Sequence, residues 1–132
     1  MSKNGMSLDM IPVNELWDRI LFIGLFGIID SNRAKQVMEA MLDKIIASNS
    51  KVIILDILSV PTVDSAVANN LIKICKATKL VGAETIISGI SGEIAQTIVE
   101  LGIELETITT TSNLADAVEL AFQRCNYELV EK

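Results

Sequence analysis

Short β-rich apolar segments alternate with amphipathic segments along this chain, and that alternation limits the folds open to it. Strands are predicted at residues 11–13, 19–29, 52–57, 84–88 and 105–108. Helices are predicted from Ala34 to the polar stop at 48–50, over 66–80 and 93–101, and after the capping residues 111–113. This order predicts an α/β fold with one mixed sheet of four to five strands and about four helices packed mainly on one face.

The chain has the size and composition of one domain with an aliphatic core. It has 132 residues, of which 50% are hydrophobic but only 4% aromatic. Residues 1–10 are polar and are predicted to be a loose N-terminal segment of a single domain over 1–132. The longest apolar run, at 20–29, is too short to cross a bilayer, and the N-terminus does not resemble a signal peptide. We therefore expect a cytoplasmic protein.

Charge and residue usage argue against most catalytic and cofactor chemistry. The net charge is −6, which disfavours a nucleic-acid partner, and the acidic final helix disfavours a membrane surface. Histidine, the commonest general base and zinc ligand, is missing from the sequence. Cys75 and Cys125 lack metal-ligand spacing, and Glu104 and Glu106 fit a solvated strand face. No phosphate-binding loop or nucleophile motif occurs, so we expect a protein that is not an enzyme and holds no cofactor or metal.

Hydroxyl and carboxylate side chains cluster where predicted strands hand over to helices. Asp30-Ser31, Asp64-Ser65 and Thr111-Ser112 all occupy such positions, and ordinary helix capping accounts for each of them. Asp64-Ser65 differs because it follows the apolar, Pro-containing loop LSVPTV. A phosphate on an exposed Ser in the first turn of a helix is stabilised by the helix dipole, whereas the adjacent Asp64 opposes it. Capping and phosphorylation both remain open from these residues alone.

Several of these segments together resemble the STAS domain, the anti-sigma-factor-antagonist fold. The shared series is a strand ending in Asp56, a hydrophobic loop, DS opening a helix, LVGA, and GI followed by EIAQT. The first strand-to-helix junction, IGLFGIIDSNRAKQVMEAML, is similar as well, so the resemblance covers residues 11–122. It is strongest to the C-terminal halves of stressosome scaffold and co-antagonist proteins. Ser91-Gly92 departs from the basic-Pro pair usual in that group.

The resemblance implies a phosphorylation-controlled interaction module. Its partners are a serine/threonine switch kinase or anti-sigma factor and other STAS subunits, with a homo-oligomer expected. Ser65 occupies the family's phosphorylated position, and Thr97 matches a second one. The expected partner-binding residues are Asp30, Ser31, Val60, Val63, Asp64 and Ser65. The alternative is a ligand-binding STAS module of an anion-transport or lipid-trafficking system. Whether the chain is free-standing or a C-terminal part stays open.

Overall fold

The computed structural model describes residues 11–102 and 108–132. These residues form five strands and four helices in an α/β order. The strands are β1 (Asn14–Trp17), β2 (Ile20–Phe26), β3 (Val52–Ser59), β4 (Glu84–Ser88) and β5 (Thr109–Thr110). The helices are α1 (Ser31–Ser48), α2 (Ser65–Leu80), α3 (Gly92–Glu100) and α4 (Leu114–Arg124).

The strands form one mixed sheet in the order β1-β2-β3-β4-β5, as the sequence predicted. β1 pairs antiparallel with β2, and the pairs from β2 to β5 are all parallel. Leu55 in the central strand lies beside Ile23 on one side and Ile87 on the other. Because β2, β3, β4 and β5 point the same way, their carboxyl ends meet at one edge of the sheet, where the next helix begins.

Two hydrophobic layers cover the two faces of this sheet. Alternate strand residues such as Ile53 and Leu55 pack against α1, α2 and α3 in the larger core. Their neighbours Val52 and Ile54 face the other way and pack against Ala117 and Ala121 of α4. The mixed sheet and the four helices are confirmed, with most of the helical packing on one face and α4 alone on the opposite face.

The ends of the first two strands differ from the prediction for backbone reasons. The first strand is Asn14–Trp17 rather than 11–13, where Pro12 cannot donate a ladder hydrogen bond. β2 is shorter than the predicted 19–29 because Arg19 and Gly27 have φ angles of 68° and 76°, which lie outside the strand region. Of the predicted strand at 105–108, residues 105–107 lie outside the described residues, as does the N-terminal segment 1–10.

Candidate functional site

All four helices begin at the carboxyl edge of the sheet, and each begins with a capped turn. Every cap accepts a hydrogen bond from a backbone N–H three residues on; the caps are Asp30, Asp64, Ser91 and Asn113. β2 and β3 are neighbours in the sheet, so the junctions carrying Asp30-Ser31 and Asp64-Ser65 are neighbours at this edge. The fold thus places two of the three predicted clusters side by side at this edge.

Asp64 caps α2 and leaves the hydroxyl of Ser65 available. Oδ1 of Asp64 accepts the Val67 N–H at 2.9 Å, and its carbonyl accepts the Ala68 N–H at 2.9 Å. Ser65 is the first residue of α2 and is exposed. Within the described residues its hydroxyl makes no hydrogen bond. A phosphate at this oxygen would lie in the positive field of the helix N-terminus and beside one carboxylate.

The loop before Ser65 is held from inside by Val60, and Leu58, near the end of β3 beside this loop, is exposed to solvent. Val60 is only 6% exposed and belongs to the larger core, and Val63 is partly buried against the same core. The prediction that Val60 contacts a partner therefore needs correction, because its side chain has little surface to offer. Leu58 is 75% exposed and is the large apolar side chain available at this loop.

A cleft of about 370 Å³ separates this loop from the turn between β4 and α3. The loop side includes Leu58 and Pro61, and the opposite side includes Gly89, Ser91 and Glu93. Gly89 has a φ of 85°, and a Cβ there would lie 2.7 Å from the Leu58 backbone nitrogen. Only glycine tolerates both conditions, so Gly89 permits the close approach of the loop and the turn. The sequence showed a turn at Gly89 but not its contact with Leu58.

A buried hydrogen bond ties together the ends of β3 and β4 beneath the cleft. The hydroxyl of Ser88 donates to Oδ1 of Asp56 at 2.6 Å, and Ser88 is fully buried. The two residues are register partners in the parallel ladder. Asp56 thus satisfies a buried hydroxyl and joins the strands on which the Ser65 loop and the α3 turn are mounted.

Asp30 and Ser31 are exposed at the neighbouring junction. Oδ1 of Asp30 accepts the Arg33 N–H at 2.8 Å, so this carboxylate is a helix cap. Among the residues that the structure describes, no hydrogen bond joins this pair to Asp64 or Ser65. Their part in partner binding stays a prediction that rests on shared position at the edge.

Thr97 lies in the middle of α3 and is half-buried. Its hydroxyl donates to the carbonyl oxygen of Glu93 at 3.1 Å, one turn earlier in the same helix. The side chain is thus outside the deep core, but its hydroxyl already forms this hydrogen bond. Modification of Thr97 stays a prediction.

The described residues offer little for covalent or metal chemistry. Burial raises the pKa of Cys75 to about 12, so this thiol stays protonated and unreactive at neutral pH. Burial also raises the pKa of Cys125. No group of three metal-ligating side chains occurs in residues 11–102 and 108–132. Within those same ranges, no helix is long and apolar enough to cross a membrane.

Comparison with known proteins links this architecture to one family. A model of the STAS domain matches residues 12–117. RsbT co-antagonist protein RsbRA of Bacillus subtilis (strain 168) is 38% identical over 125 residues, which are 95% of this chain and 44% of that protein. RsbT co-antagonist protein RsbRD of the same organism is 42% identical over 115 residues, which are 87% of this chain and 40% of that protein.

Solved structures show the same fold. A variant of RsbS from Moorella thermoacetica superimposes with a TM-score of 0.74 at 24% identity, covering 88% of this chain and 97% of that chain. The chain spans less than half the length of the two co-antagonist proteins, so the match concerns one domain of each. The family match covers all five strands and the first residues of α4. The chain belongs to the STAS domain family.

Proposed function

We propose that this protein is a phosphorylation-controlled interaction module in sigma-factor or general stress signalling, and a binding protein rather than an enzyme. The observation that carries the proposal is Ser65, an exposed serine in the first turn of α2 whose hydroxyl is released from capping by Asp64. A kinase can reach this hydroxyl without unfolding the helix start. We infer that phosphorylation of Ser65 decides which partner the carboxyl edge binds.

The names of the relatives support a choice of partner. Two of them are named as co-antagonists of RsbT, and a structural neighbour belongs to the stressosome. We infer that this chain binds an RsbT-like serine/threonine switch kinase or anti-sigma factor and assembles with other STAS subunits, copies of itself included. We propose the cytoplasm as its location, because a kinase that modifies Ser65 needs ATP there. The ligand-binding alternative is less supported, since the relatives of higher identity are co-antagonists.

The effect of a phosphate follows from its surroundings. It adds about −1.5 to −2 charge to a protein whose net charge is already −6. Apolar contact through the exposed Leu58 would then bury part of a dianion, which is unfavourable unless a partner supplies a cation. A partner that approaches by an apolar surface is therefore released, whereas a partner with Arg or Lys at the contact is favoured.

A kinase assay tests the modified residue. The protein is incubated with an RsbT-type kinase and labelled ATP, and the phosphorylated residue is mapped by mass spectrometry. We expect most of the label on Ser65 and its loss in Ser65→Ala, while Thr97→Ala keeps the Ser65 label. Ser112→Ala, an exposed serine before α4, is the matched control. Label that persists at the wild-type level in Ser65→Ala would contradict the proposal.

A binding assay tests the switch itself. We expect Ser65→Asp to bind the partner kinase at least about tenfold more weakly than the unphosphorylated wild type does. The reason is that a fixed carboxylate must be desolvated at the contact. Ser65→Ala is expected to bind as wild type does but to be insensitive to ATP. Ser112→Asp controls for the added negative charge. Equal affinity of Ser65→Asp and wild type, measured by isothermal titration, would exclude Ser65 as the switch.

A further inference from the structure

A cavity of about 320 Å³ lies between α1 and α2 and shares no lining residue with the cleft beside the loop that precedes Ser65. Its lining combines two apolar residues, two cations and two neutral polar groups: Ala34, Met38, Lys35, Lys73, Ser31 and Asn70. Ala34 and Met38 belong to the larger core or pack against it, whereas the four polar residues do not. Lys35 and Lys73 are both exposed, so their ammonium groups reach solvent.

Asn70 is the residue that points to a ligand. It is only 8% exposed, and its amide makes no hydrogen bond to any residue that the structure describes. A buried amide without a partner destabilises a fold, so such groups normally meet a protein atom, a water or a ligand. Because Asn70 lines the cavity, a ligand bound there can accept hydrogen bonds from its Nδ2.

The charge of the cavity selects an anion. Neither Lys35 nor Lys73 forms an ion pair within residues 11–102 and 108–132, although the protein carries a net charge of −6. Ser31 is the first residue of α1, an 18-residue helix with no acidic residue in its first turn. The nearby carboxylate of Asp30 does not line the cavity and accepts the Arg33 N–H.

We propose that the cavity between α1 and α2 binds a phosphate-type oxyanion, with Lys35 and Lys73 supplying positive charge and Asn70 and Ser31 donating hydrogen bonds. The oxyanion is either free in solution or carried on a short side chain of a peptide, whose apolar part lies against the partly buried Met38. The site is independent of the proposed phosphorylation of Ser65 and stands or falls separately.

Titration with inorganic phosphate at constant ionic strength, followed by amide chemical shifts, tests the site. We expect saturable shifts at Ser31, Lys35, Asn70 and Lys73, and at least a tenfold loss of affinity in the Lys35→Gln, Lys73→Gln double variant. Lys76→Gln, an exposed lysine of α2 outside the cavity, is the matched control. Shifts that do not saturate, that sodium chloride reproduces, or that the double variant retains would overturn the proposal.

Asn70→Leu separates a ligand role from a structural one. If Asn70 is kept for a ligand, leucine removes an unsatisfied amide, so the melting temperature rises while the phosphate response is lost. A lower melting temperature, or an unchanged phosphate affinity, would overturn the assignment.

Titration with a phosphoserine peptide and with its unmodified form identifies the source of the oxyanion. Tighter binding of the phosphopeptide than of phosphate supports a group carried on a peptide, and the reverse supports free phosphate.

Discussion

At the start of α2, Asp64 caps the helix and the neighbouring Ser65 keeps its hydroxyl exposed. The carboxylate of Asp64 accepts a backbone N–H of α2, and the Ser65 hydroxyl forms no hydrogen bond among the described residues. A modified side chain can change the surface only if the fold does not depend on its unmodified form. Because Asp64 and not Ser65 caps the helix, Ser65 is suited to accept and lose a phosphate without disturbing the fold.

Single substitutions at these two residues should have unequal effects on stability. Asp64→Ala is expected to lower the free energy of unfolding by about 0.5–2 kcal/mol, because an N-cap is lost. Ser65→Ala is expected to change it by less than about 0.5 kcal/mol, as for other surface positions. Urea denaturation of both variants measures the difference. A larger loss in Ser65→Ala than in Asp64→Ala would show that Ser65 caps the helix.

Cys75 should make stability fall at alkaline pH. Its pKa is raised by burial from 9.0 to about 12, so the folded state keeps its proton where the unfolded thiol ionises. This stabilisation of the folded state is complete below pH 9.0 and is lost as the pH rises from there toward about 12.

Relative to Cys75→Ala, the wild-type unfolding free energy should decline by about 1.4 kcal/mol per pH unit in that interval. Denaturant titrations at pH 8, 9.5 and 10.5 measure it, and the other ionising groups cancel in the comparison. Parallel pH profiles for the two proteins would contradict the raised pKa.

At the scale of elements, the contact between Gly89 and Leu58 couples two loops. Gly89→Ala places a Cβ 2.7 Å from the Leu58 nitrogen at a φ of 85°, and we expect a loss of about 2 kcal/mol or more. Gly92→Ala is the matched control, because no atom lies within 4 Å of its Cβ and it begins α3. That variant should be neutral or more stable. Thermal unfolding of both variants measures the difference. If Gly89→Ala were as stable as Gly92→Ala, the close contact between Gly89 and Leu58 would be refuted.

How far the sequence predicts these elements depends on what forms each one. β4 and the C-terminal end of α2 match the prediction residue by residue, since apolar runs and helical periodicity are local signals. The apolar Ile46 is 67% exposed, because it lies about 100° around the helix from buried Ile45. The exposed Leu58, the buried Val60 and the position of α4 depend on contacts between distant residues, which no local pattern contains.

The whole molecule has two hydrophobic layers that share one sheet. Trp17 packs edge-to-face on Phe122 on the α4 side, with ring centroids 5.7 Å apart, while Cys75 is buried in the opposite layer. Strands β2, β3 and β4 contribute side chains to both layers. If these strands unfold on one side of the sheet, the side chains of the other layer therefore become exposed as well.

Probes on the two faces should report one cooperative transition. Trp17 is the only tryptophan, so its fluorescence follows the α4 side, and labelling of Cys75 in a Cys125→Ala background follows the other. In urea we expect coincident midpoints for the two signals. Trp17→Phe identifies any fluorescence change that does not come from this residue. Separate midpoints would mean that α4 detaches before the main core unfolds.

At the amino edge of the sheet, hydrogen bonds and an ion pair hold the strand starts and the end of α4 together, and none of them involves the start of a helix. Lys51 N–H donates to the Arg19 carbonyl at 2.9 Å, Arg19 donates to the Cys125 carbonyl at 3.0 Å, and Arg124 pairs with Glu84 at 2.8 Å. The sheet therefore has one edge fixed by these contacts and an opposite edge at which Ser65 is exposed. If Ser65 is phosphorylated as we propose, a subunit held in an assembly by its amino edge would exchange partners at the carboxyl edge without leaving its place.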